Sequence, residues 1–317
     1  MVNWNLGPGS CAGLSARLGR ALTRLCDRLV GVERSESRRF ARTKAIFVAP
    51  HMDDAALSCG GLVAHHVAAD DHPIVVTVFA GVPQSTALTV CAQNFHAAMG
   101  MKGALAAEVV RARRAEDEAA MKALGADHVW LDYAECLYRS TQYTETGAIF
   151  GPLHSGDAGL LDRIIADLKR LWDHTSGATV HVPLGVGEHV DHRLCFGAAW
   201  TLRDAGAAVS FYEDFPYVAA PDNPLGRRLS SIHVALEPKV VDVTEFFDYR
   251  TRSMACYTSQ LRLLTPSGTD PMSSATSYAT KLAASLGAAA DPGRRAERFW
   301  SPVRAPRLAV ATHAIDG

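Results

Sequence analysis

Short apolar runs alternate with longer amphipathic segments from residue 44 onward. The apolar runs predict five strands, at 44–49, 73–80, 128–133, 179–184 and 208–213. Apolar residues at helical spacing predict four helices, at 58–69, 107–124, 158–174 and 192–205. Such alternation is typical of a mostly parallel sheet that is covered by helices on both faces. We therefore predict an α/β fold.

The two ends of the chain depart from this alternation. Leucines at helical spacing predict an amphipathic helix over 11–31, and the polar residues 33–39 are typical of a linker. We interpret residues 1–43 as a helical extension with a linker, and residues 44–317 as a single domain. After about residue 218 the regularity falls. A helix is predicted at 244–262 and a long loop with a short helix at 265–293, so we expect an irregular C-terminal extension.

Composition and charge indicate which classes of binding partner the protein has. The chain has 317 residues and a formal net charge of -1, which favours neither nucleic acid nor an anionic membrane. Its seven cysteines are dispersed without CxxC pairs, a pattern typical of reduced thiols in a cytoplasmic protein. We expect a small-molecule partner, no nucleic-acid or membrane partner, and a homo-oligomer if the N-terminal helix supplies a contact.

Two polar runs stand where the predicted strands end. His51-Met52-Asp53-Asp54 follows the first strand, and His189-Val190-Asp191-His192 follows the fourth. Ligand sites in open α/β sheets lie at the carboxyl ends of strands. The two runs together therefore predict an active site built from imidazoles and carboxylates.

These residue types suit a catalytic divalent metal ion, which commonly takes three protein ligands and keeps one position open. His51, Asp54 and His192 form such a set, with two ligands from one loop and one from the other. The set leaves Asp53 to accept a proton from metal-activated water. His189, if protonated, would stabilise an oxyanion, and Asp191 would orient one of the histidines. A single run of this kind is weak evidence, because Asp and His also cap helices and end loops.

Four stretches carry a resemblance to a known family. Residues 48–61, Val-Ala-Pro-His-Met-Asp-Asp-Ala-Ala-Leu-Ser-Cys-Gly-Gly, resemble the opening motif of the LmbE-like (PIG-L) zinc-dependent N-deacetylases. His-Val-Asp-His at 189–192 resembles their second motif. Arg-Arg-Ala-Glu at 113–116 and Tyr-Thr-Ser-Gln at 257–260 resemble two further motifs. Met52 and Ala55 depart from the usual Pro and Glu, at positions expected neither to ligate nor to transfer protons.

The resemblance implies a Rossmann-like fold and a Zn²⁺ cofactor held by His51, Asp54 and His192. It implies that Asp53 is the general base and then the acid that protonates the leaving amine. It makes His189 the cationic partner of the tetrahedral intermediate, and Asp191 its support.

Three further residues are candidate substrate contacts. The family resemblance suggests that Arg113 binds a substrate hydroxyl or phosphate, although a solvated helix face or an ion pair with Glu116 or Asp117 explains it equally well. Glu135 aligns with an acid that contacts substrate in the family. Tyr212 opens the run Tyr-Glu-Asp-Phe-Pro-Tyr at 212–217, which brings aromatic and acidic residues to the edge of the site. This run would either shape a polar pocket or form a strand end with a structural Pro turn.

We therefore predict a metal-dependent amidohydrolase that removes an N-acyl group, N-acetyl above all, from an amino sugar or related small metabolite. A thiol-conjugate amidase or a natural-product tailoring deacylase of the same family is the alternative. A sugar-binding module without activity is an alternative of another class, which the complete set of six polar residues disfavours.

Overall fold

The computed structural model describes residues 40–85, 87–139, 142–264, 270–286 and 291–303. The predicted N-terminal helix and linker lie outside these residues. The strands are β1 (Ala45–Ala49), β2 (Ile74–Thr77), β3 (Asp127–Trp130), β4 (Thr179–Pro183), β5 (Val209–Tyr212), β6 (Leu236–Asp242) and β7 (Ala296–Pro302). The α-helices are α1 (Asp54–Ala68), α2 (Val90–Ala98), α3 (Ala106–Leu124), α4 (Cys136–Arg139), α5 (Thr146–Ile149), α6 (Ala158–Asp173), α7 (Val190–Asp204), α8 (Pro224–Ser231), α9 (Phe247–Met254), α10 (Thr258–Leu263) and α11 (Pro271–Ala283).

One seven-stranded sheet organises the domain, in the order β3-β2-β1-β4-β5-β7-β6. The first five strands of this order are parallel, whereas β7 runs antiparallel to both β5 and β6. All five residues of β1 are buried, as expected for a strand covered on both faces. The predicted α/β architecture with a mostly parallel sheet is therefore confirmed.

Two hydrophobic cores lie on opposite faces of the sheet. On one face α6 and α7 pack against the strands, and α6 turns Leu160, Ile164 and Leu168 inward. On the other face α1 and α3 cover the sheet through small residues and through Leu124. Gly125 follows α3 in the left-handed conformation, with φ of 75°, and ends that helix as predicted. None of the helices in the described ranges is long and apolar enough to cross a bilayer.

The C-terminal part is more regular than the sequence indicates. It adds the antiparallel strands β6 and β7 to the sheet, and its predicted helix at 244–262 is divided into α9 and α10. The start of α10 is held by the carboxylate of Glu116, which accepts hydrogen bonds from the backbone amide and hydroxyl of Ser259 and from the hydroxyl of Thr258. Pro238 is compatible with β6 because this strand lies at the edge of the sheet.

Helix α1 is broken in its middle by two charged side chains from distant parts of the chain. Cys59 has non-helical angles, φ of -142° and ψ of 23°. At this break the guanidinium of Arg250 donates to the carbonyl of Leu57, and the carboxylate of Glu297 accepts from the amides of residues 61 and 62 at 2.9 Å. Arg250 and Glu297 also pair with each other at 3.1 Å. Both oxygens of Glu297 and both terminal nitrogens of Arg250 thus have partners at the break, which stabilises it.

We predict that Glu297→Ala destabilises the domain by about 3–5 kcal/mol, because it leaves the buried Arg250 charge and two helix amides without a partner. Urea denaturation measures the change. Lys169→Ala is the control, since Lys169 pairs with Asp173 on the surface and solvent screens that pair. A loss below ~1 kcal/mol for Glu297→Ala, the usual range of an exposed pair, would contradict this account.

Candidate active site

The two sequence runs meet at the carboxyl edge of the parallel strands. The loop after β1 carries residues 51–54, and the loop after β4 carries residues 189–192 into the start of α7. Since β1 and β4 are neighbours in the sheet, their loops face each other. The loops after β3 and β5 add Glu135 and Asp214 from either side.

The predicted metal ligands converge on one carboxylate oxygen. Oδ2 of Asp54 lies 3.4 Å from Nδ1 of His51 and 3.4 Å from Nε2 of His192. All three side chains are buried. Nε2 of His192 makes no hydrogen bond within the described part of the chain. A buried acceptor without a partner, facing a second imidazole and a carboxylate, fits a divalent cation such as zinc.

A carboxylate behind each ligand histidine fixes its tautomer. Nε2 of His51 lies 3.0 Å from Oδ2 of Asp191, and Nδ1 of His192 lies 2.7 Å from Oδ1 of Asp214. In the neutral ring the proton stands on the nitrogen that faces the carboxylate. The lone pairs of the other two nitrogens then point toward Asp54, as metal binding requires.

His189 stands among the same groups but has a different hydrogen-bond pattern. The ring nitrogens of His51, His189 and His192 lie within 4.8 Å of one another. Nδ1 of His189, however, accepts the backbone amide of Asp191 at 3.2 Å, so the proton of the neutral ring is on Nε2. Burial and the nearby His51 lower the pKa of His189 well below its usual value. The low pKa and this hydrogen bond favour a neutral His189 ring with its proton on Nε2, whereas the resemblance implied a cation; its role in the reaction stays a prediction.

The Asp191 carboxylate supports His51 and not His189. Besides His51, it accepts hydrogen bonds from Arg139 at 2.7 Å and from the amide of Cys136 at 3.0 Å. Burial opposes its ionisation, but the Arg139 charge and the bond to His51 hold the pKa of Asp191 far below the usual value. The resemblance implied that the side chain of Asp191 supports His189. In the structure, the backbone amide of Asp191 makes this contact and its carboxylate does not.

Asp53 is half-buried beside the predicted metal ligands. Of the two carboxylates in this loop, it is the one whose pKa is raised. Burial and the adjacent charge of Asp54 raise the pKa of Asp53 to about 8, although Arg113 and His51 act in the opposite direction. Burial opposes the ionisation of Asp54 too, but His192 and His51 hold its pKa below the usual value. The two adjacent acids therefore differ, one an ionised ligand and one a proton acceptor.

Two of the three candidate substrate contacts lie at this site. Arg113 is buried and pairs with Glu135 at 2.6 Å, while Glu135 lies 4.0 Å from Nε2 of His51. Tyr212 does not join them. Its side chain is fully buried in the core beneath α1, and its hydroxyl donates to the carbonyl of Val48 at 2.9 Å. Tyr212 completes the strand, so the pocket role expected for it is not supported.

With the geometry described, comparison with known proteins becomes informative. A family model described as PIG-L: GlcNAc-PI de-N-acetylase matches residues 46–202. A 2'-N-acetylparomamine deacetylase of Streptomyces fradiae is 31% identical over 234 residues, which cover 72% of this chain and 77% of that protein. This chain belongs to the PIG-L family. The 2'-N-acetylparomamine deacetylase of Niallia circulans is 28% identical over 184 residues, covering 54% of this chain and 66% of its own length.

Solved structures share the PIG-L fold of this chain. A deacetylase from the teicoplanin biosynthesis pathway superposes with a TM-score of 0.70 at 24% identity, covering 84% of this chain and all of that chain (100%). The 4-carboxy-2-hydroxymuconate hydratase GalB from Pseudomonas putida superposes with a TM-score of 0.54 at 20% identity, covering 84% of this chain and 100% of its own. Because a hydratase shares the fold, the reaction must be argued from the site.

Two residues of this PIG-L site were assigned no role from the sequence. Asp214 holds His192 and also accepts the amides of residues 185 and 186 at 2.8 Å, and Arg139 holds Asp191. The signal for Asp214 was its place after the strand β5, beside β4 in the sheet. The signal for Arg139 was weaker, because it depends on how the segment after β3 folds back.

We predict that Asp214→Asn weakens zinc affinity about 10–100-fold, because an amide in this place no longer fixes the tautomer of His192. Competition with a chelator measures the affinity. Asp117→Asn is the matched control. Asp117 is an equally buried carboxylate, but it accepts from Trp130 and Tyr257 and not from a ligand histidine. Equal zinc affinity in the Asp214 variant and the wild type would contradict this role.

Metal affinity is also expected to fall as the pH decreases. Burial disfavours charge on both ligand histidines, but carboxylates outweigh it: Glu135, Asp191 and Asp54 raise the pKa of His51, and Asp54 and Asp214 raise that of His192. Protons therefore compete with the metal ion for these rings already near neutral pH. Equilibrium dialysis of zinc from ~pH 8 to ~pH 5 tests this, and a constant affinity would contradict it.

Proposed function

We propose that this protein is a zinc-dependent N-deacetylase that releases acetate from an N-acetylated amino sugar within a larger aminoglycoside-like molecule. One observation carries the proposal. The site provides two tautomer-fixed imidazoles and an ionised carboxylate for a metal ion, and beside them a second carboxylate with a pKa raised to about 8. A hydrolase of amides requires this separation of a metal ligand from a base.

The proposed roles follow from the protonation states. Zinc bound by His51, Asp54 and His192 would supply Lewis-acid polarisation of the acyl carbonyl and acidify the attacking water. Asp53 accepts the proton of that water and later delivers it to the amine nitrogen as the C–N bond breaks. Nε2–H of His189 donates to the oxygen that gains negative charge at the tetrahedral carbon.

The substrate class rests on the relatives and on the charge at the site. Both curated relatives named above act on 2'-N-acetylparomamine, an amino sugar derivative. At the same edge of the sheet, Asp132 is exposed after β3 and lies 3.8 Å from Arg114, and Glu188, half-exposed, precedes His189 and lies 3.9 Å from Arg193. Both acids face solvent as well as an arginine, so they are candidate partners for further ammonium groups of a substrate. Arg113 and Glu135 supply a donor and an acceptor for the sugar hydroxyls.

The alternatives predict different results. A thiol-conjugate amidase or another tailoring deacylase would use the same chemistry on another amine. A sugar-binding module without activity would not require a base beside a complete set of ligands.

The five cysteines among the described residues are free thiols, which supports the proposed cytoplasmic location.

A substrate panel tests the proposal. Purified protein with added zinc is incubated with 2'-N-acetylparomamine, N-acetylglucosamine and an N-acetylated thiol conjugate, and released acetate and free amine are quantified. We expect the highest kcat/KM with 2'-N-acetylparomamine. Turnover of the thiol conjugate alone would favour the alternative enzyme, and binding of sugars without acetate release would contradict a hydrolase.

We predict that Asp53→Asn lowers kcat about 10²–10⁴-fold while zinc content is kept, because the amide does not accept the proton. Activity of the wild type should be present at high pH and be lost as the pH falls through the pKa of Asp53. A bound cation stabilises the carboxylate, so this loss should occur below about 8. The pH profile of kcat/KM measures it. Unchanged turnover in the variant would refute the assigned base.

A further inference from the structure

Tyr217 lies beside the site, at the end of the run 212–217, and the sequence assigned it no individual role. It lies in the loop after β5, three residues beyond Asp214. Its ring rests directly on the backbone of Gly187, where a Cβ would stand 2.6 Å from Cγ of Tyr217. Gly187 has a φ of 88°, which disfavours residues with a side chain. The turn before His189 therefore has a gap that the tyrosine ring fills.

The ring of Tyr217 also contacts the groups that carry the chemistry. Its edge meets the ligand His192, with ring centroids 5.9 Å apart and planes at 86°. Phe150 stands 6.0 Å away on another side and is itself 5.4 Å from the ring of His189. Tyr217 thus packs against His192 directly and is linked to His189 through the ring of Phe150.

The hydroxyl of Tyr217 has no hydrogen-bond partner in the described part of the chain. Other tyrosines in this part of the fold have partners: Tyr212, in the core, donates to a carbonyl, and Tyr138 donates to His96. An ordinary phenol is protonated near neutral pH, so the hydroxyl of Tyr217 carries a hydrogen that it can donate. A protonated hydroxyl with a free hydrogen, on a ring packed against a metal ligand, is available to a bound molecule.

We propose that the hydroxyl of Tyr217 donates a hydrogen bond to the acyl oxygen of the substrate, as the partner of Nε2–H of His189. This role rests on the proposed function. Two neutral donors on one oxygen stabilise the charge that develops there without adding a cation beside the metal ion. Because the bond strengthens as the charge grows, its loss should reduce kcat more than substrate binding.

The test is Tyr217→Phe, which keeps the ring on Gly187 and removes only the hydroxyl. With an N-acetylated amino sugar as substrate, we expect kcat to fall about 10²-fold at unchanged KM. Zinc content and thermal midpoint should equal those of the wild type. Tyr133→Phe is the matched control, because it removes a hydroxyl that donates to Asp167 at 2.6 Å, and it should leave kcat unchanged.

The outcomes separate this role from the function on which it rests. A wild type that releases no acetate from any N-acetylated amine would overturn both. An active wild type with an equally active Tyr217→Phe variant would overturn the hydroxyl's role alone, as would a variant whose loss lies in KM or follows zinc loss. Tyr217→Leu removes ring and hydroxyl together. A defect in this variant without one in Tyr217→Phe would assign the ring to packing only and so reject the proposal.

Discussion

The ion pair of Arg250 and Glu297 inside the break of α1 is the interaction on which the site depends. It separates the first turns of α1, which carry Asp54, from the remainder of the helix. At the same break the hydroxyl of Ser58 accepts the amide of Phe215, next to Asp214. The break thus ties the loop that supplies one metal ligand to the loop that orients another. The Asp54 carboxylate is also held within its own loop, because its Oδ2 accepts the backbone amide of His51 at 2.7 Å.

Hydrogen bonds give different roles to the three histidines of the site, although their side chains are chemically identical. The three histidines differ only in what contacts their second nitrogen: a carboxylate behind His51 and His192, and a backbone amide behind His189. The first two rings direct their other nitrogen toward Asp54, as proposed for metal ligands, whereas the third keeps its Nε2 for the proposed donor role. Proximity alone would have grouped all three as ligands. The group that contacts one nitrogen of each ring therefore determines what the other nitrogen can do.

The parallel strands of the sheet and both polar runs could be predicted from local sequence. Apolar strands and adjacent His and Asp residues can be identified without knowing which distant residues they contact. Local sequence failed to predict β6 and β7. These strands carry charges and prolines and are strands only because they pair with each other across more than fifty residues. For the same reason Asp214 and Arg139 were not assigned, since their roles depend on which loops meet. Tyr212 was misplaced because a strand-end tyrosine points either to solvent or to the core, and here its hydroxyl reaches Val48.

The position of Glu297 has a consequence for how the enzyme matures. This residue lies in β7, the last described strand, yet its carboxylate completes the helix that begins at Asp54. During synthesis the first ligand loop emerges from the ribosome more than two hundred residues before Glu297 does. The nascent chain therefore displays its histidines and acids without the framework that aligns them. The contact between Glu297 and α1 can therefore form only after β7 has been synthesised and has joined β5 and β6 in the sheet.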